Sequence, residues 1–344
     1  MGFSPLDRQL GISSRGWSER VEKQVIRLTA RGDSFGEAVE DYEDLIGLHL
    51  LKTTAWERTQ ERGERLRKKR KEQAEKAWQS PRRQAIMPGE ELEAVNKAVS
   101  MDGVQVYILG EGWKEVKVGC VFEFETQRGY RRRSKEKEDL VKAKHQTYTA
   151  YLGGPGEFGK LLSAEAERRG YDRAQRRASV GDGAKWIWNL TGLCFPTSCE
   201  ITDWYHGMDH LWHVSRLIHG EGTASSKRWV KRREDDLWLG QVHSVVKTIE
   251  ASTEALSTQA QEEVQTQAGY FRNNARRMQY QEFREEGYPL GSGTIESGCK
   301  NLVTKRMKGP GMRWSRLGAQ NILALRAEYL SDRWDQAWQL TLAA

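Results

Sequence analysis

The chain of 344 residues carries 55 Lys+Arg against 48 Asp+Glu, a net charge of +7 and a pI of about 9.1, which suits a polyanionic partner without specifying one. Its 13 tryptophans, 8 phenylalanines and 38% hydrophobic residues exclude wholesale disorder. No apolar run approaches the ~18 residues of a membrane helix, and "MGFSPLDRQLGISSRG" has no apolar signal core or convincing lipidation signal. A chain that stays in the cytoplasm is expected. The four cysteines, Cys120, Cys194, Cys199 and Cys299, form no C-x2-C pair and read as reduced and structural rather than zinc-binding.

Residues 16–78 read as helical. "SERVEKQVIRLTA" places Val21, Val25, Ile26 and Leu28 near helical spacing. Ser34 can cap a helix carrying Phe35, Ala38, Val39 and Tyr42, Gly47 marks a break, and Thr53 or Thr54 can cap a second helix through Trp56. Two short helices around a glycine turn fit a helix-turn-helix over about 34–62, or a plain helical hairpin. Six of the seven residues from Arg65 to Lys71 are basic, and Arg67, Lys68, Lys69 and Arg70 are candidate phosphate contacts or a solvated face. Residues 79–96, with two prolines, read as a linker.

The period then changes. "AVSMDGVQVYILG" predicts a strand through Val99, Met101, Val104 and Ile108. "EGWKEVKVGCVFEFE" predicts a second, with Val116, Val118, Cys120, Phe122 and Phe124 on one face and a turn over Gly110–Gly112. "TQRGYRRRSKEKED" reads as a charged loop and "QTYTAYL" as a short third strand. A helix, a strand ending at Gly181-Asp182, a helix, and a strand ending near Asp203 follow. Residues 206–290 read as almost wholly helical, and the last helices start near Thr294 and Ser315. The pattern predicts a mixed α/β sheet.

Three isolated acids stand out. Asp102 lies in the first strand, Asp182 ends a later one, and Glu296 opens a late helix. The ends of sheet strands are where α/β folds gather their chemistry. Gly103 and Gly183 follow the aspartates and would leave room for a metal or a substrate. Converging carboxylates repel unless a cation lies among them, and oxygen-only donors suit Mg2+ or Mn2+. Two such ions can serve the attacking and leaving oxygens of a phosphodiester. Each acid alone could equally be a cap or turn residue. Lys300, Lys305, Arg306, Lys308, Arg313 and Arg316 cluster after Glu296 and suit a DNA backbone. Trp314 is the tryptophan best placed to touch DNA, whereas Trp186, Trp188, Trp204 and Trp212 read as core. No base accompanies Cys299, so it is no nucleophile.

The segments "PLDRQLGI", "SMDGVQV", "VGDGAKWIWNL", "DWYHGMDHLW", "GSGTIESGCKNLVTKRMKGPGMRWS" and "NILALRAEYLSDRWDQAW" resemble insertion-sequence transposases of the ISKra4 family, in the DDE class. The resemblance implies a ribonuclease H-like fold with Asp102, Asp182 and Glu296 as catalytic, metal-holding triad and two Mg2+ or Mn2+ ions as cofactors. It implies a catalytic domain of 97–205 and 291–330, interrupted by a helical insertion of 206–290. A helical DNA-binding region of 1–78 would precede it and a tail of 331–344 would follow. Asp203 and His206 match an Asp-x-x-His pattern that would position DNA. By spacing alone, His206, His210 and His213 could bind zinc, though a structural or DNA-contacting helix is the better reading. The partners implied are transposon terminal inverted repeats, target DNA and further copies of the chain, in a prokaryotic cytoplasm at the nucleoid. Such relatives usually carry a paired-cysteine segment before "PLD", where this sequence starts at "MGFSPLD"; a truncated, non-cleaving DNA-binding protein and a nuclease without strand transfer are the rival expectations.

Overall fold

A computed structural model describes residues 16–79, 93–130, 137–253 and 256–342. "PLDRQLGI" and most of the expected linker lie outside them. Three helices lead: α1 (Glu19–Arg31), α2 (Phe35–Ile46) and α3 (Lys52–Gln79). Ser34 caps α2 by accepting from the Glu37 N–H at 3.0 Å, and Phe35, Ala38, Val39 and Tyr42 form its buried face. Gly47 ends α2 at φ +75°, a left-handed conformation that glycine adopts without a Cβ penalty. The next helix starts at Lys52, ahead of Thr53 and Thr54, and runs for 28 residues. Its length puts its second half against the C-terminal part of the chain rather than in open solvent.

The sheet has five strands in the order β3-β2-β1-β4-β5. β1 (Asn96–Ile108), β2 (Gly112–Tyr130) and β3 (Lys137–Leu152) form an antiparallel meander, while β4 (Arg177–Gly181) and β5 (Cys199–Thr202) add in parallel beside β1. The expected face of Val116, Val118, Cys120, Phe122 and Phe124 is wholly buried. Of the segment expected as a charged loop, residues 126–130 and 137–139 instead extend β2 and β3 into a long ribbon, with Thr126 opposite Val141 and Gln127 opposite Leu140. Backbone pairing needs no apolar side chain, so a sequence this dense in charged residues offers no hydrophobic alternation to read. A bulge opposite Val121–Glu123, with His145 at φ +50°, divides the ribbon from the core strands.

Helix α4 (Pro155–Arg168) and α5 (Lys185–Cys194) cover one sheet face. Phe158 and Leu162 pack there on Val99, Met101 and Val121. A Cβ at Gly119 would stand 2.7 Å from Leu162 Cδ1, so glycine there sets how closely α4 approaches β2. Beyond β5, α6 (Trp204–His219), α7 (Ala224–Trp238), α8 (Val242–Glu250), α9 (Thr258–Asn274) and α10 (Tyr280–Glu285) pack on a core of their own, including Leu211, Leu237, Val245, Val264 and Phe271. The other sheet face is covered by a kinked run: α11 (Gly293–Gly298), a π-helical turn (Cys299–Thr304) and α12 (Lys305–Met307), followed by α13 (Arg316–Leu330). The expected tail is instead largely a helix, α14 (Trp334–Leu342). Its Trp334, Ala337 and Trp338 pack with Ile26, Ala30, Leu66 and Leu325. The N- and C-terminal helices therefore share one core. None of the described helices is long and apolar enough to cross a membrane.

Candidate active site

β1 and β4 are paired in parallel as far as Ser100 opposite Val180. Asp102 and Asp182 each stand two residues further on, so register puts them side by side where the β1–β4 pairing stops, Asp102 midway along β1 and Asp182 just past the end of β4, on the face covered by α11. Parallel neighbours lie ~4.8 Å apart. β1 continues against β2, whereas the chain turns away at Asp182, whose Oδ1 accepts the Ala184 N–H at 2.8 Å. The Tyr270 hydroxyl of α9 donates to the Asp182 carbonyl at 2.9 Å, so the inserted helices buttress this turn.

Asp102 Oδ1 accepts the Gly103 N–H at 2.6 Å, and Oδ2 accepts the Cys299 thiol at 3.4 Å. Burial raises the Asp102 carboxyl above the usual carboxylate range; the Gly103 bond opposes this, and the charge of Asp182 adds to it. Burial, then the charge of Asp102, pushes the Cys299 thiol far up, so it stays a neutral donor. Cys299 sits one turn after Glu296. Glu296 is exposed, and its Oε1 accepts the Ser292 hydroxyl at 3.2 Å.

The small residues around these acids serve packing rather than a ligand. A Cβ on Gly103 would run into the Glu115 carboxylate. Gly183 has φ +105°, and its Cβ would stand 2.5 Å from the Tyr270 ring. A Cβ on Gly298 would stand 2.6 Å from Tyr148. The helix of Glu296 can thus lie close on β2 and β3.

Asp203, expected to position DNA, is fully buried and cannot touch it. Its Oδ1 accepts the His206 N–H at 3.0 Å and caps α6, while Oδ2 accepts the Ser292 N–H. With the Trp204 N–H donating to the Leu290 carbonyl at 2.8 Å, Asp203 joins the start of the inserted helices to the start of α11. Sequence reasoning missed this role; a cap residue directly after a strand was the available signal. His206 is half-buried. His210 stacks on Tyr270 at 3.6 Å and bonds Gln267, and His213 pairs with Glu263 at 2.7 Å. Both bind α6 to α9 instead of a zinc ion.

The basic candidates divide. Lys300, Lys305, Lys308 and Arg313 are exposed, with no acidic partner among the described residues. Arg306 is not available: it is 1% exposed, donates to the Asp33 carbonyl at 3.0 Å, and lies between the rings of Phe35 at 4.4 Å and Trp314 at 5.4 Å. Burial and the neighbouring Arg326 lower it to about 10. Trp314 is buried as well, at 7% exposed, with its backbone bridged to Ile108. Arg316 pairs with Glu111. On α3, Arg67 bonds Asn321 at 3.0 Å and Arg70 bonds Glu328 at 2.6 Å, so both fasten α3 to α13. Lys68 is exposed and pairs with Glu64, and Lys69 pairs with Glu72, each within one helical turn.

Among the described residues no three His, Cys, Asp or Glu side chains form a group that could hold a metal ion. Asp102 and Asp182 make a pair, and Glu296 turns to Ser292 instead. The pair itself suits a hard divalent cation: it has oxygen donors only, it repels itself, and no Lys or Arg pairs with it among the described residues. No protein-family model and no curated protein matches the chain.

Proposed function

We propose that the chain is a DDE-class DNA transposase on a ribonuclease H-like sheet, cutting transposon ends and joining them to target DNA. The observation that carries this is the placing of Asp102, midway along β1, in register with Asp182, at the end of β4, in a 3-2-1-4-5 sheet, with Cys299 linking Asp102 to the helix of Glu296. Asp102 and Asp182 would hold Mg2+ or Mn2+, and Glu296 would join them on leaving Ser292. Such ions activate the attacking oxygen and stabilise the leaving oxygen of a phosphodiester. The chain's own residues do the rest. Gly103 and Cys299 orient Asp102, Ala184 and Tyr270 hold the Asp182 turn, and Asp203 sets the helix of Glu296. Lys300, Lys305, Lys308 and Arg313 offer charge for backbone phosphates. Terminal-repeat recognition falls to α1–α3, and pairing of two ends calls for more than one copy.

The test is strand transfer. A duplex ending in the element's terminal repeat, already cleaved to its 3'-hydroxyl, is incubated with plasmid and Mg2+. Joined product that disappears with Glu296→Ala supports the reading, and cutting without joining points to a nuclease. The turned-away Glu296 favours one second reading, a DNA-binding protein that does not cut; repeat binding without cleavage in Mg2+ or Mn2+ would establish it.

A further inference from the structure

The outer half of the β1–β2 hairpin carries two aromatic rings that the site above does not use. Tyr107 and Trp113 are direct cross-strand neighbours, with ring centroids 5.8 Å apart and planes at 80°. Trp113 is 63% exposed, Tyr107 43% and Leu109 49%. Helices α4 and α5 cover this sheet face only over its inner half, at Val99, Met101 and Val121. The tip is firmly held. The Leu109 N–H donates to the Trp314 carbonyl at 2.9 Å, and Arg316 grips Glu111 through two nitrogens at 2.8 and 2.5 Å. Rigid, exposed aromatic rings of this kind mark a binding surface.

Charge identifies the occupant. Trp314 pairs along Ile108 with its side chain in the core on the α11 side. Side chains alternate along an extended segment, so exposed Arg313 falls on the opposite face, with Tyr107 and Leu109. Arg313 has no acidic partner among the described residues. Exposed rings beside an unpaired cation fit a single nucleic-acid strand, whose bases stack on the ring faces while its phosphates meet the charge. Tyr107 is five residues beyond Asp102 on β1, ~17 Å along the strand. It lies on the opposite face, so the strand would pass around the free edge of β1.

We propose that Tyr107 and Trp113 form a stacking platform for unpaired bases of the DNA strand leaving the Asp102–Asp182 pair, with Arg313 on its backbone. The proposal rests on the DNA reading above. It is tested by anisotropy titrations of the full chain with three labelled DNAs: a blunt duplex, the same duplex with a single-stranded extension, and that duplex with an abasic extension. Wild type is expected to prefer the base-bearing over the abasic extension by roughly 5- to 100-fold. Tyr107→Ala/Trp113→Ala should lose that preference, and Trp113→Phe should keep most of it. Blunt-duplex affinity and its salt dependence should stay unchanged. Equal affinity of wild type for both extensions, or an unchanged preference in the double variant, overturns the platform and leaves the DNA reading standing. Failure to bind any of the three DNAs overturns both. A double variant that alters only the sedimentation of the chain identifies a protein interface and also overturns the platform.

Discussion

Cys299 Sγ lies 3.4 Å from Asp102 Oδ2 and donates to it across the seam between the sheet and the helix of Glu296. The π-helical turn that begins at Cys299 follows directly on α11, so thiol and Glu296 are held on one rigid run. Cys299→Ser keeps a donor there and Cys299→Ala removes it. The expected result is a turnover number for DNA cleavage reduced about tenfold in the alanine variant, the size of one lost hydrogen bond to a charged group, with serine restoring most of it. KM for the duplex should not move. Equal losses in both variants would make Cys299 a packing residue only.

Asp102 is held above its ordinary range by burial and by Asp182. A raised folded-state pKa means that the folded chain binds the proton more tightly than the unfolded one. Stability therefore falls as pH rises from the unfolded carboxylate range through the folded pKa, and at neutral pH the charge on Asp102 weakens the fold. Asp102→Asn should raise the melting temperature by about 1–3 °C at pH 7 and by less at pH 4. Scanning calorimetry at the two pH values checks it; a lower melting temperature at pH 7 contradicts it.

A cation between Asp102 and Asp182 would remove the same repulsion. At a Mg2+ or Mn2+ concentration 100-fold above its Kd, the folded state gains about 2.7 kcal/mol. Melting of wild type should rise with added Mn2+, and that of Asp102→Asn and Asp182→Asn should not. An equal rise in all three proteins would place the ion elsewhere.

The expected strand β2 was legible because Val116, Val118, Cys120, Phe122 and Phe124 alternate with mostly small or charged residues, even though both sheet faces are covered there. The stretch 126–139 offers no such contrast in sequence, since charged residues dominate it without alternation. α14 carried two tryptophans but was too short to separate from a tail. At the site, Asp182 was legible from the end of its strand and Asp102 as an isolated acid within the first. The burial of Arg306 and Trp314 could not be read, because it depends on Phe35, some 270 residues earlier, packing against α12. The exposure of Trp113 was hidden for the converse reason: alternation marks a face without saying how far the covering helices reach.

Arg306 and Lys308 stand two residues apart and should behave oppositely. Arg306→Ala leaves a cavity between Phe35 and Trp314 and should cost about 2–4 kcal/mol in urea unfolding. Arg306→Met, which fills the space without a buried charge, should cost far less and leave DNA affinity unchanged. Lys308→Ala should leave stability within about 0.5 kcal/mol and lower the salt slope of DNA binding by about 1. A DNA-binding defect in a folded Arg306→Met would contradict the assignment.

Asp203 joins two backbone N–H groups that otherwise have no acceptor, at His206 and Ser292. Asp203→Ala should cost about 2–4 kcal/mol, more than a surface helix cap, and should speed hydrogen exchange at both amides. Faster exchange at His206 alone would reduce Asp203 to a cap of α6.

In the proposed function Asp102, Asp182 and Glu296 cut DNA with a divalent metal. Its most direct test is a labelled duplex spanning the element's terminal repeat, incubated with the full chain in Mg2+, Mn2+ or EDTA, beside Asp182→Ala. Nicking is expected at the repeat boundary in either metal, absent in EDTA and in the variant. Nicking that persists in Asp182→Ala, or binding with no cut in any metal, would contradict it.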